Sequence, residues 1–418
     1  MNQEQALTRL GINALRETQT EPISSILRGQ DTVTALPTGG GKSLIYQLPA
    51  VMNEGKTTVV ISPLKSLQTD QVTHLRQKGI QARMLNSSLA DRERKEILRE
   101  LRSGKVSLLY IAPEQLDNAE TRGALKAARI YQVAVDEAHI LAQEQHNFRK
   151  AYARVGDFID SLPKRPVVTA FTATATEHDR KVIIQSLGMR NPRTFVEPVR
   201  RPNLHLSIKV VDVDKMEDRR SVIWRAKRCL AEDALKKWNG DGSVIVYCPT
   251  KKKVKKLYKW LKAKGFKVAR YHGKRSNKKR LSAQKKFLSG ERPIMIATNA
   301  FGLGIDKPDV RMVIHLGLPL SMDGYVQEVG RAGRDGKKAK CVLIYAPSDL
   351  ESNKAILRHG ATDEQYQASL RRLNALDKLC NSHKCMWQEI ERYFGEKPGK
   401  KCGHCSRCRY QKLAKARK

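Results

Sequence analysis

Aromatic residues are scarce in this chain, at 6%, and acids are outnumbered: 42 Asp and Glu stand against 79 Lys and Arg, a formal net charge of +37. The first scarcity excludes base stacking as the main source of affinity for a nucleic acid. The second points to a polyanionic partner, nucleic acid first and an acidic membrane surface or protein second. Phosphate contacts would then dominate, and binding should fall steeply with salt. No apolar run approaches the ~18 residues that span a bilayer, and the opening MNQEQALTRLG lacks the apolar stretch of a signal peptide. A cytosol-like compartment is expected: cytoplasm and nucleoid in a bacterium, nucleus in a eukaryote. Eight cysteines in 418 residues do not make a disulfide framework. An apolar fraction of 40% with 29% charge excludes wholesale disorder and collagen-like repeats. The length exceeds what one core of roughly 250–300 residues can hold, so two or three domains are expected.

Apolar, β-rich runs alternate with helical patterns over most of the chain. TTVVISPL (57–64), VSLLYIAP (106–113), YQVAVDEAH (131–139) and RPVVTAFTATAT (165–176) read as strands that end in polar loops, with helical stretches such as DRERKEILRELRSG (91–104) between them. A second series follows Arg200: GSVIVYC (242–248), KVARYHG (267–273), RPIMIATN (292–299), VRMVIHLGLP (310–319) and AKCVLIYAP (339–347). The alternation predicts an α/β fold with parallel sheets covered by helices on both faces. The Pro-containing stretch 191–214 reads as a linker, and from about Pro347 the pattern turns helical. The expected domains are 1–200, 201–347 and 348–418.

Strand-like DTVTALP leads into Thr38-Gly39-Gly40-Gly41-Lys42-Ser43 and then into helical SLIYQLPAVM. Glycines let backbone N–H groups curl round phosphates, Lys42 reaches the β/γ oxygens, and Ser43 can ligate magnesium. The strict phosphate-loop pattern has Gly where Leu36 stands, so this is a variant. Asp136-Glu137-Ala138-His139 ends a strongly apolar strand. There Asp136 would hold magnesium, and Glu137 would orient and deprotonate the attacking water. In the second series Gly302-Leu303-Gly304-Ile305-Asp306-Lys307-Pro308 precedes Gln327-Glu328-Val329-Gly330-Arg331-Ala332-Gly333-Arg334-Asp335-Gly336. Arg331 and Arg334, three apart on a Gly-punctuated segment, can act together as arginine fingers on a γ-phosphate.

Cys385, Cys402, Cys405 and Cys408 form C-x16-C-x2-C-x2-C. Four thiolates suit tetrahedral zinc, and such a closed set is structural, with no open position for substrate. Zinc could contribute on the order of 10 kcal/mol of folding energy to a small module with little core. Spacing favours Cys385 over Cys380 as the first ligand. Cys229, Cys248 and Cys341 sit on apolar segments and read as buried thiols; His404 reads as a surface residue. From Lys251 to Lys286 there is no acid. Val254, Leu257, Tyr258 and Leu261 recur there at helical spacing and leave lysines on the other face, a phosphate-tracking surface. Trp260 and Tyr271 read as core residues.

These signatures together resemble the RecQ family of superfamily 2 DNA helicases over nearly the whole chain. They are LPTGGGKS (36–43), Asp136 to His139, Thr172-Ala173-Thr174, GLGIDKP and QEVGRAGRDG, with Ser62-Pro63-Leu64, Tyr110 to Glu114 and Tyr393-Phe394-Gly395-Glu396. DEAD-box RNA helicases share the architecture but differ at the second and last of the main sites. The resemblance implies two tandem RecA-like domains with ATP between them, followed by a small helical zinc-binding module. It also implies 3′-to-5′ translocation on single-stranded DNA with unwinding of the duplex ahead, in DNA repair or recombination. It further places Arg16 and Gln19 (LRETQ) at the adenine, and Gly304 and Asp306 in the nucleotide site.

The chain departs from the family in three places. Ile12 stands where an aromatic ring usually stacks on adenine. In the loop after the acidic motif, His146, Phe148 and Arg149 match the family's DNA-sensing residues, but Glu144 replaces a tryptophan and Gln145 a glycine. An acid at a DNA-facing loop tip repels phosphate, so coupling of hydrolysis to unwinding is expected to weaken more than hydrolysis itself. Most members continue into a winged-helix domain; RYQKLAKARK after Cys408 holds none, and the lysine excess is expected to compensate through several phosphate contacts. The other readings are a DNA-stimulated translocase or strand-annealing remodeller with weak unwinding, and a nucleic-acid-binding scaffold switched by nucleotide.

Overall fold

The computed structural model describes residues 1–37, 39–63, 65–87, 89–142, 146–211, 219–301 and 307–416, without the side chains of 66, 146–150, 219 and 415. These residues fall into two compact units, Met1–Pro198 and Val199–Lys418. Among them no helix is long and apolar enough to cross a membrane.

The first unit is built on seven strands: β1 (Thr32–Ala35), β2 (Thr57–Ile61), β3 (Ala82–Leu85), β4 (Leu108–Ile111), β5 (Ile130–Val135), β6 (Val167–Thr172) and β7 (Arg193–Val196). They lie in the order β3-β4-β2-β5-β6-β1-β7, and every pairing is parallel. Side chains alternate between faces as a pleat requires. Val59, Ile61, Val133 and Val135 enter one buried cluster, whereas Val60 and Ala134 enter the cluster on the opposite face. Burial on both faces explains why these strands read as continuous apolar runs.

The second unit repeats the plan with β8 (Leu204–Val210), β9 (Ser243–Tyr247), β10 (Val268–Tyr271), β11 (Ile294–Ala297), β12 (Val310–His315) and β13 (Ala339–Tyr345). The order is β10-β11-β9-β12-β13-β8, again all parallel. Helices Ser348–Arg358, Asp363–Asn381, Met386–Tyr393 and Ser406–Ala416 complete this unit. Both sheets and the helical end agree with the α/β expectation.

Three details differ from the sequence reading. The stretch 191–214 is not plain linker, because β7 and β8 inside it pair along their lengths with β1 and β13. The missing signal is burial: Arg193, Thr194 and Val196 on β7 are exposed, so no apolar alternation marks the strand. Cys229 is exposed rather than buried, on a charged turn of the helix Arg219–Lys236, while Cys248 and Cys341 are buried and burial pushes both thiols up to about 12. The cysteine segment does not lack a core. Cys385, Met386, Trp387, Ile390, Phe394, Cys405 and Cys408 share one buried cluster with Leu204, Leu206 and Leu343 of the second sheet.

At the N-terminal ends of β1 and β6 the buried carboxylate of Asp31 accepts from both terminal nitrogens of Arg165, at 2.6 and 3.2 Å, and from the N–H groups of Val168 and Arg190, at 2.9 and 2.8 Å. One carboxylate thus staples strand starts and the turn before β7, opposite the ends where the sequence motifs sit. Replacing Asp31 with Ala leaves a guanidinium and two amides without their acceptor. The expected loss is about 3–5 kcal/mol, read as a lower urea midpoint with an unchanged denaturant slope. A loss below ~1 kcal/mol would mean that water substitutes for the carboxylate.

Candidate nucleotide site and cysteine centre

The loop after β1 turns on left-handed glycines, with φ of +86° at Gly39 and +78° at Gly41, and Gly41 caps the helix Lys42–Met52. A β-carbon at residue 41 would meet Gln19 Nε2 at 2.3 Å, and one at residue 40 would meet the Pro37 carbonyl at 2.9 Å. The space is needed because other groups hold the loop. The Gln19 amide donates to the Gly41 carbonyl at 3.1 Å, and the Arg16 guanidinium donates to the Gly39 carbonyl at 2.7 Å. Gln19 Oε1 in turn accepts from the Arg16 N–H at 2.9 Å, so both ends of this buried amide are committed. Arg16 and Gln19 therefore act on the phosphate loop itself, a role their sequence positions did not reveal. Ile12 packs against the core of the first unit. Thr38, Gly304, Asp306 and the side chains of His146, Phe148 and Arg149 lie outside the described residues.

Lys42 and Ser43 open the helix behind the loop, where free backbone N–H groups and the helix dipole favour an anion. Asp136 follows β5, close enough for the Lys42 charge to act on it. Burial raises the Asp136 carboxyl above its ordinary range and the neighbouring Glu137 raises it further, while Lys42 opposes both. Two carboxylates after β5 and one ammonium after β1, two strands away in the sheet, suit a hydrated divalent cation bound with a polyphosphate. Glu137 sits at φ +51°, left-handed for a non-glycine residue, which costs on the order of 1–3 kcal/mol. Its surroundings hold it there. Tyr152 donates to the Asp136 carbonyl at 3.0 Å, and the Glu137 N–H donates to Asp136 Oδ1 at 3.0 Å.

His139 links two of the motifs. Its Nδ1 lies 3.4 Å from Glu137 Oε2 and 3.2 Å from Thr172 Oγ1, and the Thr172 hydroxyl donates to the Thr174 carbonyl at 2.8 Å. The strand order places β6 between β5 and β1, so Thr172 to Thr174 stand between the acids and the phosphate loop.

In the second unit Arg331 is buried and Arg334 partly buried. The Arg331 guanidinium donates to the Tyr247 hydroxyl, which itself donates to the Phe301 carbonyl at 3.0 Å. Tyr247 stacks on His315, whose Nε2 lies 2.8 Å from Glu328 Oε2. Two residues not singled out in the sequence brace the arginine turn. Arg201 donates to the Gly333 carbonyl at 2.7 Å, and Asn203 donates to the carbonyls of Gly333 and Lys337 at 2.8 and 2.9 Å. Gly333 is left-handed, and a β-carbon there would lie 2.4 Å from Asn203 Nδ2 and 2.7 Å from the Lys337 carbonyl.

The ligand atoms of Cys385, Cys402, Cys405 and Cys408 all lie within 4.8 Å of one another, and Cys380 is buried outside the group. Tetrahedral zinc at ~2.3 Å from each sulfur requires sulfurs about 3.8 Å apart; Cys402 and Cys408 are 3.9 Å apart. The N–H groups of Cys402 and Cys405 point at Cys385 Sγ and Cys402 Sγ, each at 3.3 Å, and so favour thiolate charge. Hydrogen bonds from Cys402 and Cys405 hold the Cys385 thiol well below its usual range, and those with Cys385 and Cys405 push Cys402 well above it. The set fits zinc, which would take all four as thiolates and crosslink two helices. His404 is not simply on the surface: its ring packs against His205, centroids 4.7 Å apart.

Cys405→Ser is expected to abolish stoichiometric zinc, measured with a chromogenic chelator after denaturation, and to lower the stability of the second unit by several kcal/mol. Retained zinc with an unchanged melting profile would refute the four-thiolate assignment. Gly333→Val should open the turn of Arg331 and Arg334, because the added side chain meets Asn203 and the Lys337 carbonyl, and lower the melting temperature of the second unit with its zinc content unchanged.

Comparison with known proteins agrees across the chain. It matches the DEAD/DEAH box helicase family over residues 16–182, the helicase conserved C-terminal domain over 226–336 and RecQ zinc-binding over 347–409. It is 37% identical over 399 residues to the ATP-dependent DNA helicase RecQ of Bacillus subtilis, covering 95% of this chain and 65% of that protein. With RecQ of Pasteurella multocida the identity is 35%, covering 95% of this chain and 60% of the relative. With RecQ of Synechocystis it is 38% over 363 residues, covering 85% and 73%. Among solved structures, the helicase MrfA bound to DNA aligns with a TM-score of 0.68 at 19% identity, over 96% of this chain and 59% of that one. Mss116p bound to single-stranded RNA and AMP-PNP aligns at 0.69 and 18%, over 94% and 87%. These two likenesses establish the fold, two tandem RecA-like domains. With the identity to relatives sustained from the phosphate loop through the cysteines, the chain belongs to the RecQ family of superfamily 2 helicases.

Proposed function

We propose that the protein is an ATP- and magnesium-dependent motor that moves 3′ to 5′ on single-stranded DNA and separates the duplex ahead of it. The observation that carries this reading is the Gly41 cradle, clamped by Gln19 and Arg16 and set beside Lys42, Asp136 and Glu137. It is a phosphate site with a base at its edge. Relatives named as DNA helicases support DNA as the track.

Each residue has its part in that chemistry. The loop amides and Lys42 take the charge of the phosphates, and Arg16 and Gln19 keep the loop from closing when the site is empty. Asp136 and Ser43 would hold magnesium, which would supply neutralisation of the polyphosphate charge. Glu137 orients a water and takes its proton, and His139 fixes the Glu137 carboxylate while passing its position to Thr172. Arg331 and Arg334 stabilise the charge that grows as the terminal phosphoryl group leaves. Glu144 favours a second reading, translocation with weak strand separation, because an acid in the DNA-sensing loop repels the backbone that it should grip.

Glu137→Gln is expected to lower turnover by ~10²–10⁴-fold, the range of a lost general base, while nucleotide still binds. Hydrolysis with and without single-stranded DNA, run beside separation of a 3′-tailed duplex, decides between the readings. Stimulation with unwinding supports the helicase. Stimulation without unwinding assigns the protein to the translocases. Turnover that is absent, or untouched by Glu137→Gln, overturns the motor.

A further inference from the structure

At the edge of the second sheet, strand β10 has, among the described residues, a neighbouring strand on one side only. A groove of 630 Å³ runs beside it, bounded by the helix Asn277–Leu288 and by Tyr258 of the helix Lys251–Ala263. Its charged lining is Arg270, Arg275, Lys278, Lys279, Lys286 and Arg292, with the Ser282 hydroxyl among them and no carboxylate. The acid beside it, Glu291, reaches Lys286 at 2.8 Å and Arg292 at 3.8 Å from the far end. An edge strand fringed with cations is also a guard against sheet-to-sheet pairing, but such a guard needs one or two lysines and no groove.

The arrangement has a period. Lys278, Ser282 and Lys286 recur every four residues on one helix face, roughly 6 Å apart along the axis and about 12 Å from first to last. A nucleic-acid strand places one charge per ~3.4 Å of rise, so this row is long enough for three or four successive phosphates. A single small anion would leave most of it unmatched. The cations also crowd one another: burial lowers the Arg275 guanidinium below its ordinary value and the Arg270 charge lowers it further. The groove's aromatic ring, Tyr258, is already covered by the Arg270 guanidinium 4.8 Å from its centre. Bases therefore find no free stacking platform, and recognition falls to the sugar-phosphate chain.

We propose that this groove is a binding track for the phosphodiester backbone of nucleic acid, indifferent to sequence and built wholly from the second unit. The proposal takes its ligand from the motor reading but does not depend on hydrolysis. The track would hold the strand through every nucleotide state, because none of its residues belongs to the phosphate loop, the acids or the arginine turn.

The test compares the parent chain with K278E/K279E, which reverses two exposed lysines, and with R92E/K95E, an equal charge change on the exposed face of the helix Asp91–Arg102. The probes are a labelled oligodeoxythymidylate and a labelled blunt duplex, titrated between roughly 50 and 200 mM salt. K278E/K279E should weaken binding at least ~10-fold and flatten the salt slope by about 1.8 on the duplex and about 1.4 on the single strand, for two lost phosphate contacts at ~0.9 and ~0.7 each. The milder K278Q/K279Q should move both readouts the same way, and R92E/K95E should move neither. Hydrolysis without nucleic acid should match the parent in all variants. Equal loss on both probes assigns the shared backbone as ligand, and loss on one alone identifies its source. Unchanged binding in K278E/K279E, an equal loss in R92E/K95E, or a parent that binds neither probe overturns the track. A parent that binds through these lysines but hydrolyses no ATP leaves the track standing and removes only the motor.

Discussion

A backbone without a β-carbon at residue 41 lets the Gln19 amide reach a carbonyl of the phosphate loop, and the rest of the nucleotide site is arranged around that contact. The loop cannot hold itself open, because three consecutive glycines have more conformational freedom than any other tripeptide. Arg16 and Gln19 supply the missing restraint from an earlier helix, and Gln19 is itself held by the Arg16 amide. With the loop pinned, Lys42 is aimed by its helix, and the acids after β5 find a fixed countercharge.

Both sheets show why parallel strands suit this chemistry. Their C-terminal ends gather loops that are distant in sequence, so β1, β5 and β6 bring residues 39, 136 and 172 to one rim. The opposite rim carries stability, as Asp31 illustrates by tying together β1, β6 and the turn before β7. A chain divided in this way can vary its reactive loops without disturbing what keeps the strands aligned.

Much of this was legible in the sequence because buried parallel strands are apolar throughout, and because glycines, paired acids and spaced cysteines carry their chemistry in their spacing. Ten of the thirteen strands and the phosphate-site and cysteine motifs could be read directly. What escaped has physical causes. Strand β7 exposes its side chains and so has no hydrophobic signature, while β8 was masked by the prolines before it. Arg201 and Asn203 act through hydrogen bonds to carbonyls some 130 residues away, and no local pattern encodes such partners. The His139 bridge to Thr172 depends on which strands are neighbours, which composition does not state. Cys229 shows the converse error: read as a buried thiol, it lies on an exposed, charged turn of its helix.

The Trp387 indole donates to the Leu204 carbonyl at 3.3 Å, and the cysteines around it share their cluster with the strands beneath. The thiol centre is therefore no detachable cassette. A lineage that lost it could not simply shorten the protein, because the sheet face under it would become an oily scar facing water. Recombination that exchanged the segment would have to carry β8 and β13 along with it. The two stretches, separated in sequence by the whole second sheet, are bound to evolve as one inheritance.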